Sequence, residues 1–261
     1  MKLGFLTSGT VDDVRFAARH GFGCVELALF GETPLFTDHR EFKDALRAEG
    51  VELAAASLFG KNYRDPDAKQ RQAHLDLWER AADLAAALGT EVFIAGTGRS
   101  PNVPDEAQWD SVVEDAGPRI EGVQRRGLKF AFYNCHWENM IDRPAAWERV
   151  LPKLPEVGIK FDPSHPVYDG RDWMSELLTA GPHLLHIHAK DVLRINGKHI
   201  PDPNPGFGQI AWGPFFAILY EAGYDGAICI EPHSRLYGGE NRDRFLVLSG
   251  RYLRQFMLPV G

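Results

Sequence analysis

Cysteine is scarce in this chain and poorly spaced for chemistry. The three residues, Cys24, Cys135 and Cys229, are an odd number and form no Cys-x-x-Cys pair. That argues against a disulfide framework or a thiolate zinc site and suggests a reducing compartment. Long apolar runs are missing too: none approaches the ~18–20 residues needed to span a bilayer. The opening MKLGFLTSGT enters a strand-like run without the longer apolar segment of a signal peptide, so a cytoplasmic location is the expectation. No Lys/Arg-rich stretch stands out and the net charge is -7, so no electrostatic grip on nucleic acid is written into the composition. No Gly-rich phosphate loop follows the first strand-like run. A small polar or neutral substrate fits better than nucleic acid or a membrane.

What is present is the material for a large core. Hydrophobic residues make up 44% and charged residues 25%, the profile of a soluble globular protein. Short apolar runs at 3–6, 24–29, 52–57, 91–95, 128–133, 157–161, 184–189 and 227–231 read as strands. Several are continuous and bounded by Gly or Pro, as expected of parallel strands buried on both faces. Helical patterns lie between them. Thr10-Val11-Asp12-Asp13 opens one that ends at His20-Gly21, with Thr10 able to cap it. Leu75, Leu77, Ala82, Leu84, Ala85 and Leu88 populate another, closed by Gly89. Further patterns cover 105–126, 171–178, 214–222 and 242–256. Eight strands alternating with helices, in a chain close to the ~250 residues typical of the fold, predict one (β/α)₈ TIM barrel over residues 1–261. A doubly wound open sheet is the runner-up.

Such barrels carry their reactive groups where strands end and βα loops begin. The late strands end repeatedly in titratable side chains. The sixth reads Val157-Gly158-Ile159-Lys160-Phe161-Asp162-Pro163-Ser164-His165. The seventh reads His183-Leu184-Leu185-His186-Ile187-His188-Ala189-Lys190-Asp191; strict alternation would put His186 and His188 on one face and Leu185, Ile187 and Ala189 on the other. The eighth runs Gly226-Ala227-Ile228-Cys229-Ile230-Glu231-Pro232-His233, and the fifth leads into Asn134-Cys135-His136-Trp137-Glu138. Singly these have plain explanations: a turn aspartate before proline, a hydrogen-bonded histidine, a salt-bridged strand end. Together, carboxylates and imidazoles buried at one barrel end are costly unless paired or ligated, and mixed O/N donors suit Mn²⁺, Mg²⁺, Co²⁺ or Zn²⁺.

At Phe161-Asp162-Pro163-Ser164-His165, His186-Ile187-His188-Ala189-Lys190-Asp191 and Gly223-Tyr224-Asp225-Gly226 leading to Ile230-Glu231, the chain resembles the xylose isomerase-like TIM-barrel superfamily. That group holds sugar isomerases, epimerases and dehydratases together with endonuclease IV. Weaker echoes are Gly23-Cys24-Val25-Glu26-Leu27 and Gly206-Phe207-Gly208-Gln209-Ile210. The resemblance implies one divalent ion, Mn²⁺ foremost, on Asp162, His188 and Glu231. It makes His165, His186, Lys190 and His233 substrate-binding candidates, with Lys190–Asp191 pairing as an alternative for the lysine. The fifth strand departs from the pattern: Tyr133 stands where many members have a glutamate. Glu138 is the expected fourth ligand, with Asn134, His136 or a water as alternatives; Asn134, His136 and Trp137 are also candidates to touch substrate. The implied activity is proton abstraction next to a carbonyl, with Glu231 or Glu138 as base, in an isomerase or epimerase; a dehydratase is the alternative. An endonuclease IV-like phosphodiesterase fits poorly, because strands three and four offer no ligand. A non-catalytic sugar-binding barrel is the third reading. Phe59, Tyr63, Trp137 and Trp212 are candidate walls for a sugar, and homo-oligomers are implied by likeness alone.

Overall fold

The computed structural model describes residues 1–200 and 202–258. Eight parallel strands close into a barrel. They are β1 (Lys2–Thr7), β2 (Cys24–Leu29), β3 (Glu52–Leu58), β4 (Val92–Ala95), β5 (Lys129–Tyr133), β6 (Val157–Phe161), β7 (Leu184–Ala189) and β10 (Ala227–Ile230), the last pairing with β1. Between β7 and β10 an antiparallel hairpin, β8 (Leu193–Ile195) and β9 (Lys198–Ile200), stands outside the barrel. Helices α1 (Val11–Arg19), α2 (Arg40–Glu49), α3 (Ala68–Leu88), α4 (Asp105–Arg125), α5 (Pro144–Val150), α6 (Ser164–Tyr168), α7 (Trp173–Ala180), α8 (Trp212–Glu221), α9 (Ser234–Gly238) and α10 (Arg242–Arg254) fill the connections. The single (β/α)₈ barrel expected from the apolar runs is the fold observed. Among the described residues, no helix is long and apolar enough to cross a membrane.

Local chemistry sets the helix ends. The Thr10 side chain accepts from the Asp13 N–H, and Asp12 and Asp13 complement the positive helix end. Asp67 caps α3 by accepting from Lys69 and Gln70, and α3 stops where Gly89 turns left-handed at φ +86°. Helix α2 buries only Phe42 and Leu46, and α5 is seven residues long with Pro144 at its start; neither presents enough apolar periodicity to be read from sequence.

The strands carry two cores. One set of residues, including Phe5, Val25, Phe93, Phe130, Phe161, Ile187 and Ile230, packs outward under the helices. The alternate set faces inward. Ala55, Val92, Ile94, Ala131 and Tyr133 form one apolar cluster, and Cys24, Ala54, Ala227 and Cys229 another. The alternation expected along β7 fails at one place. Ile159 pairs with Leu184 and Lys160 with His186, so Leu185 is an extra residue. It turns inward against the Val92–Ala131 cluster rather than outward with Ile187. Gly158 makes this fit: a Cβ there would collide with the Leu185 side chain.

Asp191, the residue after Lys190, anchors the long connection behind β7. Its fully buried carboxylate accepts from the N–H groups of Val192 (2.9 Å), Gly206 (3.2 Å) and Ile210 (2.9 Å) and from Trp212 Nε1 (3.0 Å). It is therefore no rim partner for Lys190, and Trp212 is committed to the loop rather than to a cavity wall. Replacing Asp191 with Ala leaves four donors unpaired, three of them buried, and is expected to cost at least about 3 kcal/mol. Urea unfolding of the variant checks this.

Candidate active site

The strands' inward faces become polar toward their C-terminal ends. Glu26 on β2, Ser57 on β3, Lys160 on β6, and His186 and His188 on β7 are all buried, and Asp162, Lys190 and Glu231 follow just beyond their strands. Two constellations share His188.

The lower one is sealed. Glu26 accepts from Ser57 Oγ (2.5 Å), His186 Nε2 (2.6 Å) and His188 Nε2 (2.8 Å). Burial alone pushes the Glu26 carboxyl up, but the charges and hydrogen bonds of His188 and His186 outweigh it and hold the group far below the carboxylate range. Burial pulls His188 down, yet Glu26 and Glu231 bring it above its ordinary value. His186 is lowered, chiefly by burial, and its Nδ1 has no partner. These directions agree on one arrangement: an ionised Glu26, a His188 favouring its proton, and a neutral His186 donating through Nε2. His186 is thus a buried support and does not reach the upper cavity, contrary to the substrate-contact role expected from its neighbour.

The upper constellation opens to solvent. Donor atoms of Asp162, His188 and Glu231 all lie within 4.8 Å of one another, and His188 Nδ1 is 3.0 Å from Glu231 Oε2. Asp162 Oδ1 accepts from the Ser164 N–H (2.8 Å) and Oγ (2.7 Å), while its buried Oδ2 has no hydrogen-bond partner. Lys190 Nζ stands 3.3 Å from Asp162 Oδ2 and 3.3 Å from Glu231 Oε2. Burial would lower the lysine, but the two carboxylates carry it well above its usual value; burial would raise both carboxyls, and Lys190 heads the charges that bring them down. His165 Nε2 lies 3.4 Å from Asp162 Oδ2. Burial and the Lys190 charge lower its pKa to about 3, so it faces the cavity as a neutral imidazole. Asp162 Oδ2, which has ion-pair neighbours but no hydrogen bond, and the O, N, O donor set fit a divalent cation on Asp162, His188 and Glu231, with Glu26 fixing the His188 ring from behind.

Glu138 does not join them. Tyr133 OH donates to the Trp137 carbonyl (2.8 Å), Glu138 turns left-handed at φ +47°, and its carbonyl accepts from Gly98 N–H (2.9 Å). The segment therefore folds against the end of β4, and Glu138 belongs to neither constellation. Asn134 is spent on the strands, bonding the Asp162 carbonyl and N–H (2.9 and 2.8 Å). His136 is exposed, and its carbonyl accepts from Arg99. Trp137 does line the site, stacked on Phe30 at 6.4 Å.

Above the cluster is a cavity of about 660 Å³, whose wall includes Phe30, Phe59, Cys135, Trp137, Lys160, His165, Lys190, Glu231 and His233. Tyr63 instead packs on Trp78. His233 Nδ1 is 3.0 Å from Asp202 Oδ2, and Asp202 also takes His199 Nε2 (2.6 Å) and Tyr168 OH, so the hairpin side of the mouth is latched to the start of α9. Sequence reasoning missed Glu26 and Lys160 as site residues. Each is a charge inside an otherwise apolar strand run, which requires a partner or a purpose.

A parallel barrel whose polar donors gather at the ends of β6, β7 and β10, under a walled cavity, follows the TIM-barrel rule that chemistry sits at the C-terminal face. This chain belongs to the xylose isomerase-like TIM barrel family, whose sequence model matches residues 14–248. It is 25% identical over 290 residues to the protein YfiH of Bacillus subtilis, covering 88% of this chain and 92% of that one. It is 21% identical over 223 residues to an inosose dehydratase of Clostridium perfringens, covering 74% and 73%. The fold matches D-psicose 3-epimerase of Clostridium cellulolyticum, solved with D-tagatose, with a TM-score of 0.78, 18% identity, and coverage of 98% and 99%.

Proposed function

We propose that this chain is a metal-dependent enzyme that removes a proton next to a carbonyl of a small carbohydrate-like or polyol-derived substrate. The observation carrying this is the convergence of Asp162, His188 and Glu231 within 4.8 Å at the floor of an aromatic-walled cavity. A divalent ion, Mn²⁺ foremost, would be held by these three residues and would supply Lewis-acid polarisation of substrate oxygens. Glu231 is the base: its side chain is 20% exposed to the cavity, and Lys190 at 3.3 Å keeps it ionised. His165, neutral and facing the same space, holds a substrate hydroxyl by a hydrogen bond. Phe59 and Trp137 cover an apolar sugar face and exclude water.

The structural neighbours include sugar 3-epimerases, and the curated relatives include inosose dehydratases. Both names fit a reaction that begins by taking a proton from carbon beside a carbonyl. Isomerisation or epimerisation is the leading outcome. The relatives' name supports dehydration as the second, in which a β-hydroxyl leaves after the same first step.

The test is proton exchange in deuterated water, followed by NMR, with D-fructose and scyllo-inosose as probes. The Mn²⁺-loaded protein is expected to wash out the C–H beside the carbonyl of at least one probe, and excess EDTA to stop it. Product mass after a parallel incubation in ordinary water separates the outcomes: unchanged for isomerisation or epimerisation, one water lighter for dehydration. No exchange with either probe, or exchange indifferent to EDTA, counts against the reading.

A further inference from the structure

Among the described residues, Lys160 is the cavity cation that makes no side-chain hydrogen bond and only a long ion pair. It sits on β6 two residues before Asp162, opposite Tyr133 on one side and His186 on the other. Its side chain is 2% exposed and contributes to the cavity wall. The neighbouring carboxylate oxygen, Asp162 Oδ2, is 4.0 Å away, beyond hydrogen-bond reach, and the ammonium lies 5.9 Å over the Phe59 ring. The other cavity cations are engaged: Lys190 by two carboxylates at 3.3 Å, and Arg242 by Asp13 (2.8 Å) and the Leu6 carbonyl (3.1 Å). An ammonium has three donors, and a buried one with none of them spent is costly unless something else uses them. The open direction is the cavity.

We propose that Lys160 is a catalytic residue whose ammonium contacts the substrate oxygen on which negative charge gathers. The inference rests on the reaction just proposed and assigns a group to its electron sink. When Glu231 takes the proton from carbon, that C–H electron pair becomes the new C=C bond and the carbonyl pair moves onto oxygen. Lys160 hydrogen-bonds that oxygen and keeps its own protons, so no further reactant is needed. The ligand class is an α-hydroxy ketone or aldehyde, and stable polyol anions bearing a carboxylate in place of the carbonyl should bind as mimics.

The experiment compares the wild type with Lys160→Met and, should that variant not fold, Lys160→Gln. Calorimetry with gluconate on the Mn²⁺-loaded proteins is expected to show at least a 10-fold loss of affinity in the variant while Mn²⁺ binding is not weakened. With a probe the wild type exchanges, kcat should fall at least about 100-fold with KM changed far less. Gluconate that does not bind the wild type, or binds the variant equally well, overturns the role of Lys160, as does unchanged kcat. A wild type that exchanges no probe sinks the proposed reaction instead, and the gluconate comparison still tests the lysine.

Discussion

Glu231→Gln should lower turnover by about 10²–10⁴-fold and weaken divalent-metal binding by at least about 100-fold, while the barrel stays folded. Both losses come from one oxygen. Glu231 Oε2 is 3.0 Å from His188 Nδ1 and 3.3 Å from Lys190 Nζ, so it is at once a cation donor and the cavity carboxylate best placed to accept a proton. Glutamine keeps the shape but offers neither negative charge nor basicity. The stability cost should be small, about 1–3 kcal/mol, because Lys190 retains Asp162 and His188 retains Glu26. Metal titration, turnover on an exchanging probe, and thermal unfolding, run side by side, separate these effects. A variant with wild-type metal affinity and turnover would remove Glu231 from both roles.

The barrel was legible because its strands are buried on both faces: apolar runs bounded by Gly and Pro locate all eight to within a residue or two. Asp162 and Glu231 stood out because each follows an apolar run with a charge that a dry interior rejects, and His188 because it lies with His186 on one strand; grouping the three as ligands is what the family resemblance implied. What was not legible depends on geometry beyond local period. Glu138 follows the right strand, but a left-handed turn and a Tyr133–Trp137 hydrogen bond carry it away from the other ligands. The Leu185 bulge is a property of pairing with β6, not of the β7 sequence. Glu26 meets His188 across 162 residues of chain, a contact no window contains. The hairpin is a different kind of miss. Ile195-Asn196-Gly197-Lys198 carries the Asn-Gly signal of a two-residue turn, and both central residues adopt positive φ (51° and 76°).

Glu26 supports the last prediction: Glu26→Ala should cost about 3–5 kcal/mol near neutral pH, because it leaves His186 and His188 buried without their carboxylate. The pH dependence tests the charge assignment. Glu26 titrates lower folded than unfolded, so its contribution is present above the unfolded value of about 4.3 and fades as pH falls below it. His188 titrates higher folded than unfolded, so its share is full below about 6.5 and is lost as pH rises through the folded value. In the variant His188 loses the neighbour that favours its proton, so acidification from neutral hurts the variant more than the wild type. The stability gap should therefore be widest near pH 5 and narrow on both sides. Below about pH 4.3 it should shrink by up to about 1.4 kcal/mol per unit. Urea unfolding of both proteins from pH 8 to pH 3.5, with EDTA present so that no cation competes for His188 Nδ1, measures the gap directly. A gap that stays flat across the range would mean that Glu26 and His188 are joined by a neutral hydrogen bond, and that the carboxylate does not set the charge of the histidine above it.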